Sequence, residues 1–207
     1  MIYVIITASI NNKFGINTTY DIRKQRYIDC IQSLLKLIEG NNKIKPIIVE
    51  NNGNPDVYLN DCNCDFICTD NNAQIFNNKG LNELLDIKHV INQYNISDDD
   101  IIIKLTGRYK ILNNNFLNLV INHMNDYDAF IKFFNVCTKT YMHDDCVLGL
   151  FAIKCKYMKM FKYDDIKSPE CEFANFVRNN ISQDKIMEVN DLGLECCFAD
   201  DLRILVV

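Results

Sequence analysis

No run in this 207-residue chain approaches the roughly 18 consecutive apolar residues that a membrane-spanning helix needs. The first residues, MIYVIITAS, have no basic stretch ahead of the apolar ones and no small-residue cleavage site, so they read as a β-strand rather than a signal peptide. Positive charge is also in short supply. Lys and Arg number 22 against 27 Asp and Glu, for a formal charge of −5 and an isoelectric point near 5.2. That balance excludes a general nucleic-acid binder, because phosphate backbones require a basic surface. There is no internal repeat and no Pro-, Gly- or Ser-rich linker, so a single domain over 1–207 is expected. These absences point to a soluble, intracellular protein whose anionic ligands, if any, are held by local cations.

Cysteine is abundant, at ten residues, but the spacing of a metal site is missing. Cys62, Cys64 and Cys68 form one tight cluster without a second pair or a histidine at zinc-ligand distance. The others fall inside apolar patterns, and a chain of this length builds its core without staples. The expected state is therefore a set of buried free thiols in a reducing compartment.

An alternating β/α order runs through the first half. A strand at 2–8 precedes a helix from about Thr19 to Glu39, with Ile28, Ile31, Leu34, Leu35 and Ile38 at helical spacing and Gly40 as its stop. Strands IIVE and DFICT follow, then a helix over about 78–94 with Leu81, Leu84, Leu85, Val90 and Ile91 inward. The segment IIIKLTGRY, Ile101 to Tyr109, is the most informative: an all-apolar start marks a buried parallel strand. Beyond Asn125 the pattern predicts strands at 128–136 and 146–153, helices near 154–162 and 170–181, and late strands at 185–189 and 202–207. Ser168-Pro169 supplies the N-cap and first-turn proline of the second of these helices. The whole reads as an α/β protein with a mostly parallel, doubly wound sheet and a mixed carboxy-terminal half.

In such sheets ligands bind beyond the carboxyl ends of the strands. The residues placed there are Thr7 and Ser9 after the first strand, Arg23 and Arg26 at the start of the first helix, Glu50, Asn51 and Asn52 after the second strand, and Lys79 before the next helix. Lys104, Thr106 and Arg108 close the IIIKLT strand. Cations, hydroxyls and carboxylates of this kind suit a phosphorylated ribosyl ligand, although each residue alone also serves as a cap, a turn former or a surface charge. Asp98-Asp99-Asp100 precede the same strand, so they form a turn at its amino end rather than a metal motif. His143-Asp144-Asp145 is either a hairpin turn or a cation site. Gly149 inside a strand implies close approach of another group, with an acceptor ligand as one candidate. Glu170 and Glu172 open a helix, where the dipole favours their ionised forms; one of them aimed into the cleft would serve as a general base.

The segments TAS, RKQRY, NKGLNELL, KLTGRY, GLFAIK and SPECEF, in this order, resemble a small GT-A-type glycosyltransferase, similar to those of large DNA viruses. The resemblance spans nearly the whole chain. It implies a nucleotide-sugar-binding half (1–125) and an acceptor-binding half (126–207), with transfer of a sugar from a nucleotide-diphosphate sugar to a hydroxyl on a glycan, protein or small molecule. Carried onto this sequence, Lys104 and Arg108 lie by the diphosphate and Glu170 is the base, with Glu172 and Gly149 on the acceptor side. A viral relative would work in the host cytoplasm. Many GT-A enzymes carry Asp-x-Asp after the fourth strand, where this chain has KLTGRY. A manganese or magnesium ion is then either replaced by cations or held elsewhere, with Asp144 and Asp145 as candidates. The missing motif keeps open a catalytically silent binding module. A nucleotidyltransferase would want a glycine-rich loop after the first strand, and TASINNKFG offers one glycine.

Overall fold

The computed structural model describes residues 1–11, 20–53, 58–59, 62–73, 79–133, 144–164, 167–198 and 203–207. Its centre is a seven-stranded sheet built on the two most apolar segments of the sequence. Strand β1 (Ile2–Ala8) pairs in parallel with β2 (Ile44–Glu50) on one side. On its other side it pairs with β4 (Ile101–Thr106), also in parallel. β3 (Asp65–Cys68) extends the sheet beyond β2. Past β4 come β7 (Leu150–Lys154), antiparallel to it, then β6 (Ala129–Ile131) and β8 (Ile186–Glu188), giving the order β3-β2-β1-β4-β7-β6-β8. The fold is α/β, and the sheet is mostly parallel.

All six residues of β4 are buried because helices cover both faces. Ile101, Ile103 and Leu105 pack toward α1 (Tyr20–Ile38) and α3 (Asn115–His123). Ile102 points the other way, into a core formed by α2 (Lys79–Gln93), α4 (Cys155–Met160) and α5 (Pro169–Asn180). Period-two alternation thus divides one isoleucine run between two cores, each fully buried Ile contributing on the order of 2 kcal/mol. Ser168 caps α5 through its hydroxyl oxygen, which accepts from the Cys171 amide at 3.3 Å, with Pro169 at the first helical position. Asp98 pairs with Lys159 at 2.6 Å and Asp100 accepts from the Ser97 amide, so the acidic triplet forms the turn expected at the amino end of β4. The nine described cysteines are free thiols.

A second, three-stranded antiparallel sheet joins β5 (Lys110–Ile111), β9 (Leu194–Cys197) and β10 (Ile204–Val206). The sequence reading lacks β5, β9 and α3. The two strands are too short to show a period. In α3, asparagines interrupt the apolar set Phe116, Leu117 and Val120 that the helix buries. The expected strand 128–136 holds as β6 and a bridge at Phe133 paired with Cys146; 134–136 lie outside the described residues.

Gly149 needs correcting as an acceptor-side candidate. A methyl group there would sit 2.4 Å from Cε2 of the Tyr109 ring, so the group that approaches its backbone is this buried aromatic and not a ligand. Gly107 follows the same logic, with the Thr7 carbonyl 3.0 Å from the position a Cβ would take. Gly149→Ala is expected to cost about 1–3 kcal/mol through overpacking. Denaturant unfolding checks this, and an unchanged midpoint would refute the ring contact.

Candidate functional site

The order β3-β2-β1-β4 places a topological switch between β1 and β4, where the connections leave on opposite faces of the sheet. A crevice must open outside the carboxyl ends at such a point. Here it is lined by Thr7, Ala8 and Ser9 from β1, Arg23 and Tyr27 from α1, and Arg108 from the turn after β4. Asn51, Asn72, Asn82 and Glu83 close the other side.

Two guanidinium groups are fixed in this crevice. Arg23 donates from Nε and Nη2 to the Ser9 carbonyl at 2.9 and 2.7 Å, and Nη2 also meets the Tyr27 hydroxyl. Arg108 donates from Nε to the Cys197 carbonyl at 2.9 Å and lies over the Tyr109 ring. Burial works against its charge, but Tyr109, Tyr27 and Glu83 nearby hold its pKa above the ordinary arginine value, so it stays cationic.

The opposite wall rests on one wholly buried carboxylate. Asp86 is 0 % exposed and accepts from Asn51 Nδ2 at 2.9 Å, Thr69 Oγ1 at 2.8 Å and Asn71 Nδ2 at 2.7 Å. Because Asp86 takes the amide nitrogen of Asn51, the amide oxygen is left over. Oδ1 of Asn51 (3 % exposed) and Oδ1 of Asn82 (4 % exposed) are both buried with no hydrogen-bond partner among the described residues. Unsatisfied buried acceptors are costly, at about 1–3 kcal/mol each, and a ligand carrying O–H or N–H groups would relieve that cost.

The remaining site residues separate into those that reach the strand ends and those used for scaffolding. Thr7, Ser9, Arg23 and Arg108 line the crevice. Arg26 does not: it bonds the Arg108 carbonyl at 3.1 Å and pairs with Glu195 at 2.7 Å, tying α1 to the small sheet. Glu50 is also withdrawn, its buried carboxylate accepting from the Ile10 amide, Asn52 and Tyr58. Glu172 caps a loop by accepting the amides of Asp164 and Lys167, both at 2.8 Å. Lys79 begins α2, but its side chain lies outside the described residues, as does His143.

Lys104 sits behind the crevice rather than in it. Its ammonium is 2 % exposed and has three partners: Thr106 Oγ1 at 2.6 Å, the Leu148 carbonyl at 2.8 Å and Glu83 Oε2 at 2.8 Å. Its charge is therefore answered inside the protein before any phosphate arrives. Glu170, at the start of α5, lies within electrostatic range of Glu83 and Lys104. Burial pushes its pKa above the usual carboxylate range, against its hydrogen bonds and Lys104. Asp145 is 1 % exposed and neither carboxylate oxygen has a hydrogen-bond partner among the described residues; burial and the neighbouring Asp144 raise its pKa. Asp144 is exposed. The thiol of Cys146, next in sequence to Asp145, donates to the Glu170 carbonyl at 3.4 Å.

Sequence reasoning missed Tyr27, Asn72, Asn82, Glu83 and Asp86. Asn82 and Asp86 stand one helical turn apart beside the apolar stripe of α2, where their polarity reads as a solvent face. Only the packing of that helix against strand ends that carry Asn51 and Thr69 makes them interior.

No protein-family model matches the sequence, and no curated protein does. Solved structures match in fold. A protein assigned as a nucleotide-diphospho-sugar transferase of Desulfovibrio desulfuricans aligns with TM-score 0.56 and 9% identity over 91% of this chain and 79% of its own. A mannosyltransferase of Pyrobaculum calidifontis, solved with GDP-Man and Mn2+, aligns with TM-score 0.56 and 7% identity. That likeness covers 92% of this chain and 55% of the mannosyltransferase, so this chain matches little more than half of it. A 4-diphosphocytidyl-2C-methyl-D-erythritol synthase of Anaerococcus prevotii aligns with TM-score 0.50 and 14% identity over 91% and 86% of the two chains. At such identities the likeness establishes a shared GT-A-like fold and nothing finer. Among the described residues no helix is long and apolar enough to cross a membrane.

Burial holds the Asp86 pKa up at about 6 despite its hydrogen bonds, above the ordinary 3.8. A raised carboxyl pKa means the native state binds the proton more tightly than the unfolded chain. The stability this group contributes is present below about pH 4 and is lost as pH rises through about 6, by up to about 3 kcal/mol. Asp86→Asn should flatten the unfolding free energy across that window. A pH profile unchanged by the substitution would contradict the assignment.

Proposed function

We propose that the protein is a glycosyltransferase that moves a sugar from a nucleotide-diphosphate sugar to a hydroxyl acceptor. One observation carries the reading: the switch-point crevice of a GT-A-like fold holds two anchored guanidinium groups facing two buried, unpartnered amide oxygens. The cations suit a diphosphate, and the oxygens suit the hydroxyl or N–H donors of a nucleoside. The solved mannosyltransferase with GDP-Man supports the class of donor, at the level of the fold.

In the reaction the acceptor oxygen bonds to the anomeric carbon as the bond from that carbon to the diphosphate breaks. The electron pair departs with the diphosphate, whose charge Arg108 and Arg23 stabilise. Glu170 takes the acceptor's proton. Its raised pKa makes it a stronger proton acceptor than an ordinary carboxylate, and Lys104 with its partner Glu83 contributes to the local field.

A divalent cation has one candidate ligand among the described residues. Asp145 has two unbonded carboxylate oxygens, the donor type that hard cations take. Among the described residues no group of three or more His, Cys, Asp or Glu could form an all-protein cage. Asp145 is not among the residues that line the crevice, so no step of the proposed transfer is routed through an ion there.

The nucleotidyltransferase alternative draws on the fold shared with the diphosphocytidyl-methylerythritol synthase. It predicts nucleoside triphosphate turnover with pyrophosphate release and no use of nucleotide sugars. The silent module predicts no nucleotide binding at all. Calorimetric titration with UDP, GDP, CDP and their sugars, with and without manganese, separates the three, and no heat from any of them defeats the transferase reading.

Glu170→Gln is expected to lower transfer by about 10²–10⁴-fold with donor binding retained. Wild-type turnover should fall as pH drops and Glu170 gains its proton, while the variant loses that limb. Arg108→Ala should weaken diphosphate binding by about 1.5–3 kcal/mol, the worth of hydrogen bonds to a charged group, and equal affinity would remove Arg108 from the donor site.

A further inference from the structure

A second pocket lies on the other side of Glu83. Its mouth is formed by the half-buried Gly80, Glu83, Leu148, Tyr163 and Pro169. Its floor is the aromatic cluster Phe151, Phe161 and Phe173, with ring centroids 4.6 Å apart for Phe151–Phe173 and 5.1 Å for Phe161–Phe173. Glu83 belongs to this pocket and to the crevice alike, so one side chain separates the two. Pro169, on the rim, directly precedes Glu170 in the first turn of α5.

We infer that this pocket binds an uncharged aromatic or alkyl compound bearing a hydroxyl group, as the acceptor subsite. Its polar content decides the class of occupant. Lys104 reaches the wall, but all three ammonium protons are met by Thr106, Leu148 and Glu83, so it offers nothing to an anionic head. Glu83, paired with it, leaves no net charge to attract a cation. Of the remaining lining residues Tyr163 donates its hydroxyl to the Lys167 carbonyl at 3.0 Å and the others are apolar, which rewards burial of a flat or branched apolar body over a polyhydroxylated sugar. A hydroxyl left at the mouth would lie on the side of Glu170, where a base is required. The role as acceptor subsite rests on the transferase reading; the binding itself does not.

The test uses 4-methylphenol, uncharged at neutral pH, observed by ligand-detected NMR against the full chain. Binding is expected for the wild type, and it should weaken at least about tenfold, or 1.4 kcal/mol, in Leu148→Trp, which blocks the mouth. Leu84→Trp fills the pocket from the α2 wall and serves as a second block should Leu148→Trp fail to fold, with thermal melting as the folding control. UDP or GDP should not displace the phenol. No binding to wild type, binding that folded Leu148→Trp and Leu84→Trp both leave intact, or displacement by the nucleotides would each overturn the inference. Phenol binding blocked by these variants, in a protein that binds no nucleotide, would support the pocket while removing the transferase reading on its own.

Discussion

A lysine ammonium in the middle of a fully buried strand is the constraint around which the site is arranged. Lys104 follows three isoleucines into the interior, where an unpaired charge costs several kcal/mol. Glu83 from the first turns of α2 answers it, and the Thr106 hydroxyl and Leu148 carbonyl complete its shell. This pairing obliges the amino-terminal part of α2 to dock over the carboxyl ends of the strands. One turn further along, the same helix delivers Asp86 to Asn51, Thr69 and Asn71. The strand ends and the helix are thus joined by charge at one point and by amide and hydroxyl donors at the next.

The consequence is a division of space. Glu83 stands between a polar crevice at the β1/β4 switch and an apolar pocket floored by three phenylalanines. A group-transfer reaction needs two reactants held in adjacent compartments of different character, with a proton acceptor at their boundary. In the proposed reaction Glu170 is that acceptor: Pro169 before it lies on the rim of the apolar pocket, Glu170 is within electrostatic range of both members of the ion pair, and burial raises its pKa. The same low-dielectric surroundings that make Lys104 dependent on Glu83 also raise the Glu170 pKa, which favours the proposed proton transfer.

Much of the fold was legible because long apolar runs and helical spacing are strong signals. The IIIKLT strand, the two long helices, the Ser168-Pro169 start and the gathering of polar residues at the carboxyl ends of the strands are readable from local pattern alone. The site was legible by location and less so by role. Arg23 and Arg108 line the crevice, whereas Arg26 and Glu50, equally polar and equally near strand ends, serve as internal ties. Nothing local distinguishes them, since the partners that claim them, Glu195 for Arg26 and Tyr58 for Glu50, arrive from distant or irregular segments. Gly149 shows the converse: the glycine correctly signalled close approach, but a single sequence does not say that the visitor is Tyr109.

An acidic chain that takes a diphosphate, as proposed, would do so against its own net field, and the tethering of the two crevice arginines suits that task. Each guanidinium is tethered by its Nε to a main-chain carbonyl, Arg23 to Ser9 and Arg108 to Cys197. A tethered fork has already lost most of its rotamer freedom on folding, so a ligand need not supply that ordering again. In the proposed reaction its remaining donors would meet the negative charge that builds as a diphosphate departs. Long-range attraction from a basic surface would speed encounter and then be screened by salt. Fixed cations in a half-buried crevice instead act at contact range, which fits a protein whose overall charge of −5 contributes no attraction to an anionic ligand.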